Sequence, residues 1–321
     1  MHFAIFGVGG IGGYLAGKLG ILLQKPGSRV NNLSLITRGV HLKTIREHGF
    51  IFVDTEGREN RIDPAAVSDD FKTVARASPV DVVFLCVKGY DLDEAVGAIK
   101  SCIGGNTFVI PLLNGADIYE RVRNGLEKRL PEPDKNGTGG IVLPGAIYIS
   151  AEITGPGQVH HKGGSGLVIL GKGRGQDAVK PDSLLVVFEK AGIPCEWHED
   201  PFPAIWTKFL FIAPLSIVTA VTGKTFGELL ADATLKSDLR SMMEEVEGVA
   251  RARGVKLPPD AVESTMQKLK SFPPETKTSF QRDVEAGKPK DERDIFGGTV
   301  IRIGRELGID TPVTEEYFNR L

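Results

Sequence analysis

Cysteine is nearly absent from this chain of 321 residues: Cys86, Cys102 and Cys195 are the only three, far apart and without a CxxC pair. That argues against a disulfide framework or a zinc site and fits a reducing cytoplasm. Cys86 stands inside an apolar, strand-like run and reads as buried filler. Histidine is also scarce. Of the six, His160 and His161 are adjacent rather than at ligand spacing, and the pair reads as part of a surface strand, so no metal is expected. Net charge is only -2, which leaves no basic footprint for nucleic acid. No apolar run approaches the roughly 20 residues of a membrane span. The first apolar run is broken by glycines almost at once, unlike a signal peptide. The expectation is a cytoplasmic protein acting on a small molecule, with neither nucleic acid nor membrane as partner.

What the chain does have is ordinary globular composition, 41% hydrophobic and 25% charged, and length for about two domains. It also has glycine in a telling place. The apolar run His2 to Phe6 leads directly into Gly7-Val8-Gly9-Gly10-Ile11-Gly12, followed by helix-permissive Tyr14 to Leu19. This is G-x-G-x-x-G where a first strand ends and a first helix begins, the context that gives the motif its meaning. Gly7 allows the tight turn, Gly9 lets a pyrophosphate approach the backbone, and Gly12 lets helix and strand pack closely. The anion would rest on N–H groups at the helix N-terminus.

The first ~110 residues alternate strand-like and helix-like pieces, the pattern of a parallel sheet. Continuous apolar runs at Phe3–Phe6, Leu33–Ile36, Val80–Val87 and Thr107–Leu113 suit central strands covered on both faces. They end in Gly7, Thr37, Lys88 and Asn114, and ligands gather at such carboxyl ends. Lys25 to Asn32 reads as a turn, and Pro131 to Gly140 as a polar surface loop. Ala146–Ile153, Gln158–His161 and Leu167–Leu170 read as antiparallel strands extending the sheet. A helix over Ser183–Ala191 and a short strand over Cys195–His198 follow. Beyond about residue 200 helical spacing takes over: Leu235, Leu239, Met242, Val246, Val249 and Ala250 form one core stripe, and Phe296, Val300, Ile303 and Leu307 another. The expected architecture is α/β, with a Rossmann-type dinucleotide-binding domain over residues 1–200 and an all-α domain over 201–321.

The second strand ends in Leu35-Ile36-Thr37-Arg38-Gly39, without the acid that an NAD site places there for the ribose hydroxyls. Arg38 can pair bidentately with a 2′-phosphate and Thr37 can add a hydroxyl, so NADP is expected over NAD. A second unusual residue opens the helical region. Lys208, in Trp206-Thr207-Lys208-Phe209, has Ala204, Ile205, Phe211 and Ile212 as its helical neighbours, all apolar. Two readings stand side by side: a lysine snorkelling to water at the helix edge, or a desolvated lysine able to give a proton to a developing alkoxide.

Gly7–Tyr14, Thr37-Arg38-Gly39, Val87-Lys88-Gly89-Tyr90-Asp91, Leu113-Asn114-Gly115, Trp206-Thr207-Lys208 and Phe226-Gly227-Glu228-Leu229-Leu230 occur in this order. The segment from Thr278 to Pro289 and then Gly304-Arg305-Glu306-Leu307-Gly308 follow. The set resembles the ketopantoate reductase (2-dehydropantoate 2-reductase) family across nearly the whole chain, the S-x-x-x-D-x-E-A-G-x-P segment most specifically. The resemblance implies NADPH-dependent reduction of a 2-oxo acid to a 2-hydroxy acid on the way to pantothenate and coenzyme A, in a cleft between the two domains. It implies Lys208 as general acid, Asn114 near nicotinamide and substrate, Lys88 on the cofactor and Arg38 near its 2′-phosphate. Ser279 matches a substrate-binding serine, and the acid twelve residues later is Asp291, with Glu292 adjacent. Each has a plainer alternative: a turn at Asn114-Gly115, a helix N-cap at Ser279, and a solvated charge run around Asp291.

The pattern is broken at two places. Many members carry asparagine four and eight residues after the lysine, where this chain has Ile212 and Ser216. Isoleucine offers neither donor nor acceptor, so the polar grip on the substrate changes, with Ser216 the remaining substrate-binding candidate. Rival expectations are a related NADP-dependent dehydrogenase with another hydroxy or amino acid substrate, and a non-catalytic NADP-sensing regulator. A homodimer is possible, with the helical region as its support.

Overall fold

A computed structural model describes residues 1–100, 103–127, 140–175 and 180–321. Cys102 and nearly all of the polar loop expected over Pro131 to Gly140 lie outside them. The chain forms two compact units: Met1–Leu113 with Ile118–Pro201, and Asn114–Asp117 with Phe202–Leu321.

The first unit is built on a six-stranded parallel sheet. Its strands are β1 (His2–Phe6), β2 (Asn32–Ile36), β5 (Ala66–Ser68), β6 (Val82–Leu85), β7 (Phe108–Pro111) and β8 (Ile141–Val142), in the order β5-β2-β1-β6-β7-β8. The apolar runs read from the sequence are its central strands, buried throughout at Val82–Leu85. Their last residues are in register: Phe6 pairs with Ile36 and with Leu85, and Leu85 with Pro111. Gly7, Thr37, Cys86 and Leu112 therefore leave the sheet along one edge. Cys86 packs against the core, and burial pushes its thiol pKa up.

The later strands do not extend this sheet. β9 (Gly145–Gly155), β10 (Gln158–Gly171) and β11 (Cys195–His198) join β3 (Phe50–Val53) and β4 (Glu59–Ile62) in a second, five-stranded sheet. β10 pairs antiparallel with β9 but parallel with β3 and β11, and β3 pairs antiparallel with β4. Helix α1 (Gly10–Leu23) packs against this second sheet through glycines. A Cβ on Gly13 would lie 2.5 Å from Val159, on Gly17 2.1 Å from the Phe52 ring, and on Gly20 2.3 Å from Ile62. Spacings of three and four put these glycines on one helix face. The stripe lets backbone meet strand side chains directly, and alanine there overpacks the core.

His161 corrects the reading of a surface strand. It is buried, with its ring edge-on to Tyr14 at 5.0 Å and its Nε2 3.0 Å from the Gly163 carbonyl.

The second unit is centred on α7 (Phe202–Thr222), whose buried residues run from Phe202 to Thr219. By length and composition this helix, with a mean hydropathy of 1.8, is apolar enough to cross a membrane, unlike the sequence expectation. Most of it is the core of the helical unit. The stripe of α9 (Ala233–Ala252) is buried from Leu239 to Ala250. Val300 and Ile303 of α12 (Thr299–Leu307) are buried, but Leu307, the last residue of the helix, is exposed. Segment Asn114–Asp117 is held to the helices by buried Asp117. Its carboxylate accepts from Arg302 at 2.7 Å and from the Thr299 hydroxyl at 3.4 Å.

Candidate active site

In the first unit the glycine loop lies where β1 becomes α1. Gly7 adopts φ +93°, and a Cβ there would meet the Cys86 carbonyl at 2.8 Å, so both conformation and space require glycine. A Cβ on Gly12 would fall 2.0 Å from the Gly7 carbonyl oxygen. Gly9 differs: it is the N-cap of α1 and nothing lies within 4 Å of where its Cβ would be. No side chain caps the helix, and its first backbone hydrogen bond runs from Gly13 to Gly9. The N–H groups of Gly10, Ile11 and Gly12 precede that bond and have no intrahelical acceptor. Open space at Gly9 beside an uncapped helix terminus is a cradle that fits a pyrophosphate. Val8, within the loop, is buried.

Arg38, the N-cap of α2 (Gly39–His48), is two-thirds exposed at the end of β2. Its guanidinium pairs with the Asp91 carboxylate. Asp91 is also the N-cap of α4 (Leu92–Ile99), but its side chain makes no cap hydrogen bond there. Lys88, half-buried, precedes the short turn Gly89–Asp91 on the same edge. Buried His41 accepts at Nδ1 from the Gly157 N–H at 2.9 Å. Burial lowers its pKa, with the Val8 backbone pulling the other way. The pairing of Arg38 with Asp91 escaped sequence reading, although Asp91 closes the motif that begins at Val87. Arg38 and Asp91 are 53 positions apart, and an acid at the start of a helix reads as an ordinary cap.

In the helical unit α7 carries Lys208, half-buried, and its Nζ donates to Asn114 Oδ1 at 2.8 Å. The two are 94 positions apart in sequence. Burial foremost, and then the nearby charge of Lys268, lowers the Lys208 pKa from its ordinary 10.5 to about 8. The desolvated reading of this lysine is the one the surroundings support.

Helix α11 (Ser279–Glu285) begins at Ser279, but its N-cap is Thr278, whose hydroxyl accepts from the Gln281 N–H at 3.1 Å. The alternative of a capping Ser279 is thereby replaced, and Ser279 is exposed at the first helical position. The Thr278 hydroxyl also meets that of Thr219 at 3.0 Å, which seats the start of α11 on α7. Thr219 lies eleven residues after Lys208, close to the same helix face. Ser216 is buried and Ile212 half-buried.

The charge run after α11 is only partly solvated. Asp291 accepts from Arg293 through Nε at 3.0 Å and Nη2 at 2.7 Å, and these hydrogen bonds hold its pKa below the usual carboxylate range. Glu292 is buried at 5% exposure. Its carbonyl accepts from Ile295 and Phe296, where a π-helical turn, Asp294–Gly298, leads into α12. Among the described residues no three metal-ligating side chains come together.

Residues 3–175 match the family model described as ketopantoate reductase PanE/ApbA, and residues 202–321 match the model of its C-terminal part. The 2-dehydropantoate 2-reductase of Mesorhizobium japonicum is 28% identical over 324 residues, covering 98% of this chain and 95% of that one. The crystal structure of a PanE/ApbA family ketopantoate reductase from Ralstonia eutropha JMP134 superposes with a TM-score of 0.83 at 26% identity, covering 99% of this chain and 96% of its own. A D-mandelate dehydrogenase, solved as a ternary structure with NADH and anilino(oxo)acetate, shares the fold with a TM-score of 0.79 at 22% identity, covering 100% and 97%.

Proposed function

The chain belongs to the ketopantoate reductase family, and from that premise we propose that it reduces a 2-oxo acid to a 2-hydroxy acid with NADPH. Ketopantoate, on the route to pantothenate and coenzyme A, is the first substrate to test. Membership makes the chain a dinucleotide-dependent oxidoreductase; the substrate, the choice of NADPH and the residue roles are our reading. The observation that carries it is Lys208, desolvated, hydrogen-bonded to Asn114 and titrating near 8.

Gly7 to Gly12 would hold the pyrophosphate, Thr37 and Arg38 the 2′-phosphate, and Lys88 a further part of the cofactor. When bound, the reduced nicotinamide supplies a hydride to the keto carbon. As that C–H bond forms and the carbonyl π bond breaks, Lys208 gives a proton to the oxygen, an interaction strongest in the transition state. Asn114 fixes the ammonium in one direction and orients the reacting group. Ser279 would receive the substrate from the start of α11. Two acids stand as candidates for a site carboxylate: Asp291, which accepts from Arg293, and the adjacent buried Glu292. The test is a steady-state assay of 2-oxo acids with NADPH and NADH. Absence of turnover with every 2-oxo acid would remove the enzyme reading and favour a cofactor-binding regulator.

Cofactor choice has its own test. A 2′-phosphate approaching Arg38 meets the Asp91 carboxylate already paired there, and like charges repel across a few ångströms. The D-mandelate dehydrogenase neighbour was solved with NADH, so both cofactors belong in the comparison. Asp91→Asn removes the charge at nearly the same size, and no side-chain cap hydrogen bond is lost with it. It should raise the NADPH-over-NADH ratio of kcat/KM by about three- to tenfold, mostly through the KM for NADPH. A fall in that ratio would show instead that Asp91 positions Arg38 for the phosphate.

A further inference from the structure

The surroundings of Lys208 are unusually apolar for a site that must recognise a hydroxylated acid. The residues three and four after it, Phe211 and Ile212, share its helix face and are half-buried like it. The polar residues farther along are withdrawn into the interior. Ser216 is buried, and Thr219 is fully buried with its hydroxyl donating to the Leu215 carbonyl at 2.7 Å. Phe211 stacks on Phe272 with ring centroids 5.3 Å apart, and Phe272 meets Phe226 edge-on at 5.7 Å. Phe272 remains 36% exposed.

Against this apolar surface stands a second cation. Lys268 Nζ lies over the Phe211 ring, 5.3 Å from its centroid, and its charge is felt at Lys208. Helix α10 (Ala261–Leu269) carries this lysine on its exposed side. Lys268 thus stands over Phe211, which stacks on Phe272 and lies with Ile212 one turn after Lys208. That combination suits a small anion with a non-polar body: a cation for the carboxylate, a proton donor for the keto oxygen, and hydrocarbon for the rest.

We infer that the site takes a 2-oxo acid whose side chain is apolar and carries no hydroxyl, seated against Ile212 and Phe211 with its carboxylate facing Lys268. The inference rests on the reductase reading above and narrows its substrate class. A side-chain hydroxyl brought against Ile212 loses water and gains no partner, because isoleucine has no donor or acceptor. An apolar wall discriminates against an added hydroxyl by about a hundredfold at most, so ketopantoate is disfavoured but still turned over.

The decisive comparison uses ketopantoate and 3,3-dimethyl-2-oxobutanoate, which differ by that one hydroxyl. With the wild-type protein and saturating NADPH, kcat/KM should favour 3,3-dimethyl-2-oxobutanoate by about ten- to hundredfold, mainly through KM. Phenylglyoxylate, whose ring can lie on Phe272, should also be reduced. Ile212→Asn should shift the ratio back toward ketopantoate by tenfold or more, and Ile212→Thr, closer in shape, should do so in part. Lys268→Gln should raise KM for both acids alike and move the alkaline limb of the pH profile upward, because a positive neighbour of Lys208 is gone. A wild-type preference for ketopantoate would overturn the apolar assignment and leave the reductase reading intact. Failure to reduce any of the three acids, with either cofactor, would overturn the reductase reading itself.

Discussion

Lys208→Ala should lower kcat for 2-oxo acid reduction by about 10²- to 10⁴-fold, the range typical of a lost general acid. The Kd for NADPH, followed by fluorescence titration, should stay within about twofold, because the residues assigned to the cofactor lie elsewhere in the chain. The pH profile adds a second signature. A lysine titrating near 8 is mostly protonated at neutral pH, so it can serve as the acid without a carboxylate to keep it charged. Above about pH 8 the protonated fraction falls, and kcat/KM should drop towards tenfold per unit. The same shift has a stability sign. Between about 8 and 10.5 the unfolded chain binds more protons than the folded one, so the contribution of Lys208 to stability rises with pH through that window. Below it the full cost of the buried charge is present. Lys208→Met, which keeps the length and removes the charge, should therefore melt no lower than wild type at pH 7 while remaining inactive. Retained turnover in both variants would take Lys208 out of the mechanism.

The sheet edge was legible because its signals are local. Each central strand is a continuous apolar run ending in a small or polar residue, and parallel pairing brings those ends together whatever the intervening helices are. The second sheet was not legible. Glu59-Asn60-Arg61-Ile62 has almost no apolar pattern, and it is a strand because Phe50 to Val53 offers it an antiparallel partner. Gln158 to His160 look like a continuation of their own hairpin, yet they also pair with β3 more than a hundred positions earlier. Such pairings depend on burial and hydrogen bonding that no window of sequence contains. The glycines after the first loop show the same limit. The helix over Tyr14 to Leu19 was legible, but not why it carries Gly13, Gly17 and Gly20, since glycine costs about 1 kcal/mol against alanine in a helix interior. Only the strands packed against them give the reason. In the site, Lys208 stood out as one charge among apolar neighbours, while Asn114 as its acceptor and Asp91 as the partner of Arg38 are long-range facts. Residue type identified the candidates; the fold decided which of them touch.

Gly9→Ala and Gly12→Ala should separate the cofactor from the fold. At Gly9 the backbone has φ -85° and ψ -157°, a conformation open to any L-residue, and the added methyl meets no protein atom within 4 Å. The melting temperature of Gly9→Ala should thus stay within about 2 °C of wild type, the change expected for well under 1 kcal/mol in a chain of this size. The methyl would stand in the space where a pyrophosphate approaches the backbone, so the Kd for NADPH and for NADH should both rise by about 10- to 100-fold. At Gly12 the methyl would lie 2.0 Å from the Gly7 carbonyl oxygen, and neither atom belongs to a flexible side chain. The loop and the first helical turn must part, at a cost of about 1–3 kcal/mol typical of overpacking and occasionally more. Gly12→Ala should lose cofactor binding and also melt several degrees lower. The contrast decides between two accounts of the glycines. If they serve only to let α1 pack on β1, Gly9→Ala keeps its cofactor affinity. If the loop is a dinucleotide cradle, Gly9→Ala loses affinity with its stability untouched, because among the described residues nothing lies within 4 Å of the added methyl.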